Sequence, residues 1–245
     1  MENAEIQKQI KNNSVPVHVG IIMDGNGRWA KKRHLPRISG HKVGAERIED
    51  ILEESVALGI QYLSLYAFST ENWKRPKEEV NSLMNLIVRY VNSRLSDFKK
   101  NNIKLLTMGD ISKLPPSALN AVNYAKEETK DNNGLILNIG LNYGGRDEIV
   151  SGIKALFKEY EKDPTIIKNL DSELFKSFLD TKDQPDVDLL IRPGGEKRIS
   201  NFMLYQIAYS EFYFTECLWP DFTKEEFQKA ILEFQNRERR YGGLK

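Results

Sequence analysis

A single cysteine, Cys217, stands among 245 residues, which excludes an internal disulfide and any cysteine-built metal site. No apolar run approaches the ~20 residues needed to span a bilayer. Neither sign of charge is in excess: 36 basic residues meet 35 acidic ones, which disfavours a general nucleic-acid binder. The three histidines, His18, His34 and His41, lack cysteine partners and zinc-site spacing. No Gly-Lys-Ser/Thr follows a glycine turn, so a nucleotide-binding P-loop is absent. Met1 to Asn13 is polar and mixed in charge, without the apolar centre of a signal peptide. These absences predict a cytoplasmic protein in which residues 1–14 form a polar, flexible segment and residues 15–245 one large domain.

Apolar runs alternate with amphipathic stretches. Val17–Met23, Ile60–Phe68, Ile103–Met108, Leu135–Leu141 and Val187–Ile191 read as strands, with Phe212–Phe214 as a short sixth. Helical patterns fall near 41–58, 79–98, 116–131, 145–161 and 171–180, and over Glu225–Glu238. Such alternation predicts an α/β fold, a mostly parallel sheet with helices on both faces. The Met84, Leu86 and Ile87 stripe reads as core on its inner side.

The chemistry clusters after the strands. His18 to Met23 runs into Asp24-Gly25-Asn26-Gly27-Arg28-Trp29, a strand breaking into a glycine loop that opens a helix. Glycines let backbone approach a ligand, a helix start favours anions, and Arg28 suits phosphate oxygens. Asp24 repels a phosphate unless a cation lies between them, and Mg²⁺ takes one or two carboxylates plus phosphate oxygens. The second motif, Ser69-Thr70-Glu71-Asn72-Trp73-Lys74-Arg75, follows the second strand. The third offers Arg192, Arg198 and Ser200 around Gly194-Gly195, a set able to clamp a diphosphate. Glu211 sits in an aromatic run and needs a partner if buried; a second metal ligand and a structural salt bridge are both open. Ligands of open α/β sheets bind beyond the carboxyl ends of strands, so these motifs are expected to share one rim.

These motifs, with Asn142-Tyr143-Gly144-Gly145-Arg146 and Glu211–Phe222, resemble the cis-prenyltransferases from Val15 to Gly243. The resemblance implies a six-stranded parallel sheet flanked by helices, a hydrophobic tunnel and a homodimer. It also implies repeated addition of isopentenyl diphosphate to an allylic diphosphate such as farnesyl diphosphate, giving undecaprenyl diphosphate for cell-wall sugar transport. Transient contact with the inner membrane surface would aid release. Trans-prenyltransferases are excluded because no Asp-Asp-x-x-Asp occurs.

By this resemblance Asp24 and Glu211 match the carboxylates associated with Mg²⁺. Gly25, Asn26, Gly27, Arg28 and Arg37 match the allylic diphosphate site, with Trp29 and His41 beside it. Arg192, Arg198, Ile199 and Ser200 match the isopentenyl diphosphate site. Ser69, Thr70, Glu71, Trp73 and Arg75 match a mobile loop closing over substrate. Asn72 matches a residue assigned as proton acceptor, although a neutral carboxamide is a poor base near pH 7 and suits orienting a substrate or relaying a proton. Pro193 departs from the threonine of many relatives and removes a hydroxyl and an N–H. A non-catalytic accessory subunit is the competing reading; it would be expected to lack part of this set.

Overall fold

Each apolar run becomes a strand, and all six join one sheet. The structure is a computed structural model and describes residues 2–237. Helix α1 (Glu2–Lys11) precedes β1 (His18–Ile22), α2 (Asn26–Lys32) and α3 (Arg37–Leu58). Then come β2 (Tyr62–Ser69), a 3₁₀ turn over Thr70–Lys74, α4 (Lys77–Lys100) and β3 (Lys104–Met108). They are followed by α5 (Pro116–Glu128), β4 (Ile136–Tyr143), α6 (Gly145–Lys162) and α7 (Ser172–Lys176). β5 (Leu189–Pro193), β6 (Glu211–Thr215) and α8 (Lys224–Gln235) complete the described chain. The ends of the expected domain, residues 238–245, and of the expected last helix, Glu238, lie outside the described residues.

The strand order is β3-β4-β2-β1-β5-β6, and every pairing is parallel. From β1 the chain moves to β2 on one side, whereas β5 lies on the other and passes on to β6. The crevice beyond the ends of β1 and β5 is therefore a topological switch point, the place where such sheets take ligands.

Side chains alternate between the two sheet faces, as the strand period requires. Val19, Ile21, Leu63, Leu65, Leu189 and Ile191 point into the larger core. Ile22, Leu190 and Phe202 belong to a smaller cluster on the opposite face. That face also holds a buried polar chain. His18 Nε2 meets Ser64 Oγ at 2.8 Å, and Asn138 donates to Ser64 and pairs with Gln184. Burial pushes the His18 imidazole down to about 4, so it is neutral near pH 7.

Within the polar N-terminal segment Glu2–Lys11 forms α1, whose Ile10 is fully buried; Gln7 donates to Glu54, and Gln235 donates to the Ile10 carbonyl. The helix expected over 171–180 stops at Lys176, where the Ser177 hydroxyl bonds the Leu174 carbonyl in competition with the helix. Close approach of α3 to α2 depends on glycine: a Cβ on Gly40 would lie 2.0 Å from the Asn26 carbonyl oxygen, and one on Gly44 2.1 Å from Asn26 Oδ1. This contact, with Trp219 donating to the Gly44 carbonyl at 2.7 Å, fixes the loop after β1.

Candidate active site

Asp24 lies just past β1 and organises one side of the rim. Its Oδ2 is 2.9 Å from Arg192 Nη2 and 3.2 Å from Arg28 Nη2, and its Oδ1 accepts the Gly25 N–H at 2.6 Å. Gly25 holds φ at 105°, a left-handed conformation that makes glycine the natural residue for this turn. Burial raises the Asp24 carboxyl, but the bond and charge of Arg192, the charge of Arg28 and the Gly25 amide outweigh it and hold the group below its usual range. Asp24 is thus ionised at neutral pH.

Arg192 is the penultimate residue of β5, with its side chain only 4% exposed. It donates to Ser200 Oγ at 2.8 Å and to the Arg198 carbonyl, while its buried Nε has no partner in the protein. Arg198 extends into solvent, 61% exposed, and pairs with Glu196. Pro193 is buried and occupies the last position of β5, opposite Thr215, where a lost ladder donor is tolerated.

A second set faces it across the cavity. Glu79, at the start of α4, forms an ion pair with Arg37 Nε at 3.0 Å and accepts a hydrogen bond from Arg75 Nη1 at 3.0 Å. His41 Nε2 stands 4.0 Å from the same oxygen, too far for a hydrogen bond. Burial, with Arg75 and Arg37 nearby, pushes His41 down to about 4 against the pull of Glu79, so its ring is neutral. Glu79 is not among the residues that the sequence singles out; its only signal there is the i,i+4 spacing to Arg75.

The 69–75 loop is tied down on several sides. Asn72 Oδ1 accepts the Ser69 N–H at 3.3 Å in a reciprocal capping box. Thr70 reaches Asp147 at 3.2 Å, and Asn201 donates to Glu71 at 3.2 Å. Trp73 packs edge-on to Phe68 and donates to Asn142 Oδ1 at 2.7 Å.

One cavity of about 640 Å³ receives most of these groups. Asp24, Asn26, His41, Ser69, Glu71, Asn72, Arg75, Arg192, Arg198 and Ser200 all line it, so the three motifs do share one rim. Arg28 and Arg37 join through Asp24 and Glu79. Inward the lining becomes apolar, with Ile48, Leu65, Leu83, Leu86, Ile87 and Ile139. Other expected residues act differently. Trp29 lies under Arg33 and donates to Asp221, a brace outside the cavity. Thr70 and Trp73 secure the loop, Ile199 packs against the smaller core cluster, and Gly25 and Gly27 shape the turn.

Glu211 stands apart from Asp24 within one chain. It begins β6 in register with Leu189, which pairs with Val19, whereas Asp24 follows the far end of β1. At ~3.3 Å per strand residue the two carboxylates are more than ~10 Å apart within the chain. Glu211 forms a salt bridge with Arg237 at 2.9 Å.

Comparison with known proteins decides the family. Residues 22–242 match the family model described as putative undecaprenyl diphosphate synthase. An isoprenyl transferase of Clostridium tetani is 53% identical over 236 residues, covering 96% of this chain and 92% of that protein. One of Bacillus anthracis is 48% identical over 237 residues, covering 97% and 92%. The chain belongs to the cis-prenyltransferase family. Solved structures agree on its fold. Lavandulyl diphosphate synthase from Lavandula x intermedia, in complex with dimethylallyl diphosphate, superposes with a TM-score of 0.90 at 33% identity, over 94% of this chain and 99% of that one. A probable undecaprenyl diphosphate synthase from Campylobacter jejuni gives 0.77 at 37% identity, over 94% and 100%. For a cis-prenyltransferase the layout has a direct chemical sense: guanidinium groups at the mouth suit diphosphates, and the apolar interior suits prenyl chains.

Proposed function

We propose that this cis-prenyltransferase extends farnesyl diphosphate by repeated cis addition of isopentenyl diphosphate, making undecaprenyl diphosphate for the carrier of cell-wall sugars. The observation that carries this reading is the pair of guanidinium sets at the mouth of one apolar cavity, Arg192 with Arg198 on one side and Arg37 with Arg75 on the other. Arg28 and Arg37 stabilise the diphosphate that departs as the allylic carbon–oxygen bond breaks. Arg192, Arg198 and Ser200 hold isopentenyl diphosphate so that its alkene forms the new carbon–carbon bond, and a proton is then lost from the adjacent carbon. Holding both substrates in register supplies much of the acceleration. With its oxygen engaged by Ser69, the Asn72 carboxamide is better placed to orient a diphosphate oxygen than to take the proton.

The donor set fits Mg²⁺. Asp24 is an ionised, partly exposed carboxylate at the cavity wall, and among the described residues no group of three acidic, histidine or cysteine side chains would hold a metal unaided. Asp24 would therefore hold the ion together with substrate oxygens. When bound, the ion supplies positive charge to the departing diphosphate. An accessory, non-catalytic role finds no support, since Asp24, Arg28, Asn72, Arg192 and Arg198 are all in place around the cavity.

Labelled isopentenyl diphosphate offered with dimethylallyl, geranyl or farnesyl diphosphate tests this reading. Incorporation should be fastest on farnesyl diphosphate and cease with a chelator. No helix of the described residues is long and apolar enough to cross a membrane, and we place the protein in the cytoplasm with transient contact at the inner membrane surface. Lipid vesicles should then raise the steady-state rate by taking up product; an unchanged rate would remove the membrane step.

A homodimer is part of the same proposal. Val150, Ile153, Phe157 and Tyr160 form an exposed apolar stripe on α6, with Phe157 63% exposed. A stripe at this spacing suits the same face of a second copy in a two-fold contact. Phe157→Glu should shift the sedimenting mass to that of one chain while circular dichroism is unchanged; retention of the wild-type mass would place the interface elsewhere.

A further inference from the structure

The loop after β5 meets the 69–75 loop through the side chain of Asn201. Ser200 and Asn201 both hold left-handed backbone, with φ of 47° and 63°. Asparagine visits that region more readily than most residues, whereas serine gains nothing from it, so the pair needs outside support. The start of α6 supplies it. The Asn201 carbonyl accepts the Gly145 N–H at 2.7 Å, and its Oδ1 accepts the Arg146 N–H at 2.9 Å. These are two of the amides that open a helix without a partner inside it. Gly144, the residue before α6, has no side chain to offer them, so Asn201 caps the helix from another part of the chain. On its far side Phe202 is fully buried and stacks on Tyr66, with centroids 4.5 Å apart.

The amide nitrogen of the same side chain takes a different partner. Asn201 Nδ2 donates to Glu71 Oε1 at 3.2 Å, and both residues line the cavity with Ser200 and Asn72. A Cβ on Gly144 would lie 2.7 Å from Asn201 Nδ2, 2.7 Å from Asp147 Oδ2 and 2.9 Å from Thr70 Oγ1, so the glycine lets these three side chains meet. Burial raises the Glu71 carboxyl, but its own amide and the Ser69, Asn201 and Thr70 side chains outweigh it and hold the group below its usual range. Glu71 is thus an ionised acceptor, and Asn201 is a neutral donor to it. One residue back, Ser200 accepts from Arg192. A short link therefore runs from Arg192 and Ser200 through Asn201 to Glu71, next to Asn72.

We infer that Asn201 is a positioning residue that couples diphosphate occupancy at Arg192 and Ser200 to the placement of the 69–75 loop. This rests on the assignment of Arg192, Arg198 and Ser200 to isopentenyl diphosphate above. A diphosphate held by Ser200 fixes the left-handed pair, the pair fixes the Asn201 amide, and the amide holds Glu71, with Asn72 beside it, at the cavity wall. The coupling is reciprocal: a loop held in place tightens the diphosphate by the factor with which the diphosphate tightens the loop. Arg28 and Arg37, which pair with Asp24 and Glu79, lie outside this link.

Two measurements on the full-length protein test this. The first is the KM for isopentenyl diphosphate, with Asn201→Asp made in two backgrounds. Aspartate keeps an acceptor for the Arg146 amide but sets a second carboxylate against Glu71. KM should rise on the order of ten-fold, while the KM for farnesyl diphosphate changes by less than about two-fold. Combined with Glu71→Gln, the same substitution exchanges donor and acceptor, and should cost less than about two-fold relative to Glu71→Gln alone. The second measurement needs no turnover: hydrogen exchange, read by mass spectrometry, with and without saturating inorganic pyrophosphate. In the wild type pyrophosphate should slow exchange across residues 69–75. That slowing should be lost in Asn201→Asp and in Asn201→Gly, which keeps the left-handed backbone and removes the side chain. If the aspartate variant does not fold, the glycine variant decides the matter. An equal cost in both Glu71 backgrounds, or a loop that responds to pyrophosphate in the variants as in the wild type, would reduce Asn201 to a cap on α6 and overturn the coupling. An unresponsive wild-type loop would overturn it as well. If the wild type elongates no primer, the elongation reading fails, while the response to pyrophosphate still decides whether Asn201 links the two loops.

Discussion

Asp24→Asn should reduce condensation by at least a factor on the order of 10²–10³ while the protein stays folded. The asparagine preserves the shape of the side chain and one acceptor for Arg192, but not the charge. Asp24→Ala should be equally inactive and also less stable. It would leave Arg192, almost fully buried, without its carboxylate, and uncompensated buried charge costs about 3–5 kcal/mol. The remaining bonds of Arg192 to Ser200 and the Arg198 carbonyl moderate that loss. Single-turnover rates with and without Mg²⁺, together with melting curves, separate the two effects. A near-normal rate for Asp24→Asn would remove the charge from the mechanism.

The arginines should divide by substrate. Arg192→Ala is expected to raise the KM for isopentenyl diphosphate by about 10- to 150-fold, the equivalent of a lost charged hydrogen bond worth ~1.5–3 kcal/mol. It should lower kcat as well, because Arg192 also holds Asp24. Arg198→Ala should affect mainly KM for the same substrate, since its side chain touches Glu196 and solvent rather than Asp24. Arg28→Ala and Arg37→Ala should act on the allylic diphosphate. Lysine at position 192 should not rescue, because a single ammonium cannot reproduce the fork that reaches Asp24, Ser200 and the Arg198 carbonyl together. Separate titrations of the two substrates give the answer, and the same pattern for all four variants would contradict two subsites.

Much of this site is legible in the sequence because strand ends announce themselves. An apolar run that stops at Asp24, and another that stops at Arg192, place both residues on one rim once the strands are parallel. Glu211 is harder to place for the converse reason: it opens its strand instead of closing it, and the aromatic run around it gives no direction. Trp29 and Trp73 lie within the right motifs but turn toward Asp221 and Asn142, a choice set by tertiary contacts far along the chain. Glu79 escapes notice because an acid four residues from an arginine is ordinary on a helix, and its pairing with Arg37 arises only when α3 meets α4. Polar composition hides α1, although Ile6 and Ile10 are at helical spacing and both pack against the core.

The most direct test is the double-bond geometry of the product. Purified protein would be incubated with farnesyl diphosphate, carbon-13-labelled isopentenyl diphosphate and Mg²⁺, and the chain analysed by mass spectrometry and NMR. The expected product is a polyprenyl diphosphate that keeps the trans bonds of its primer and gains one cis bond for every labelled unit. Labelled units joined through trans bonds, or no incorporation by a folded protein, would contradict the proposed reaction.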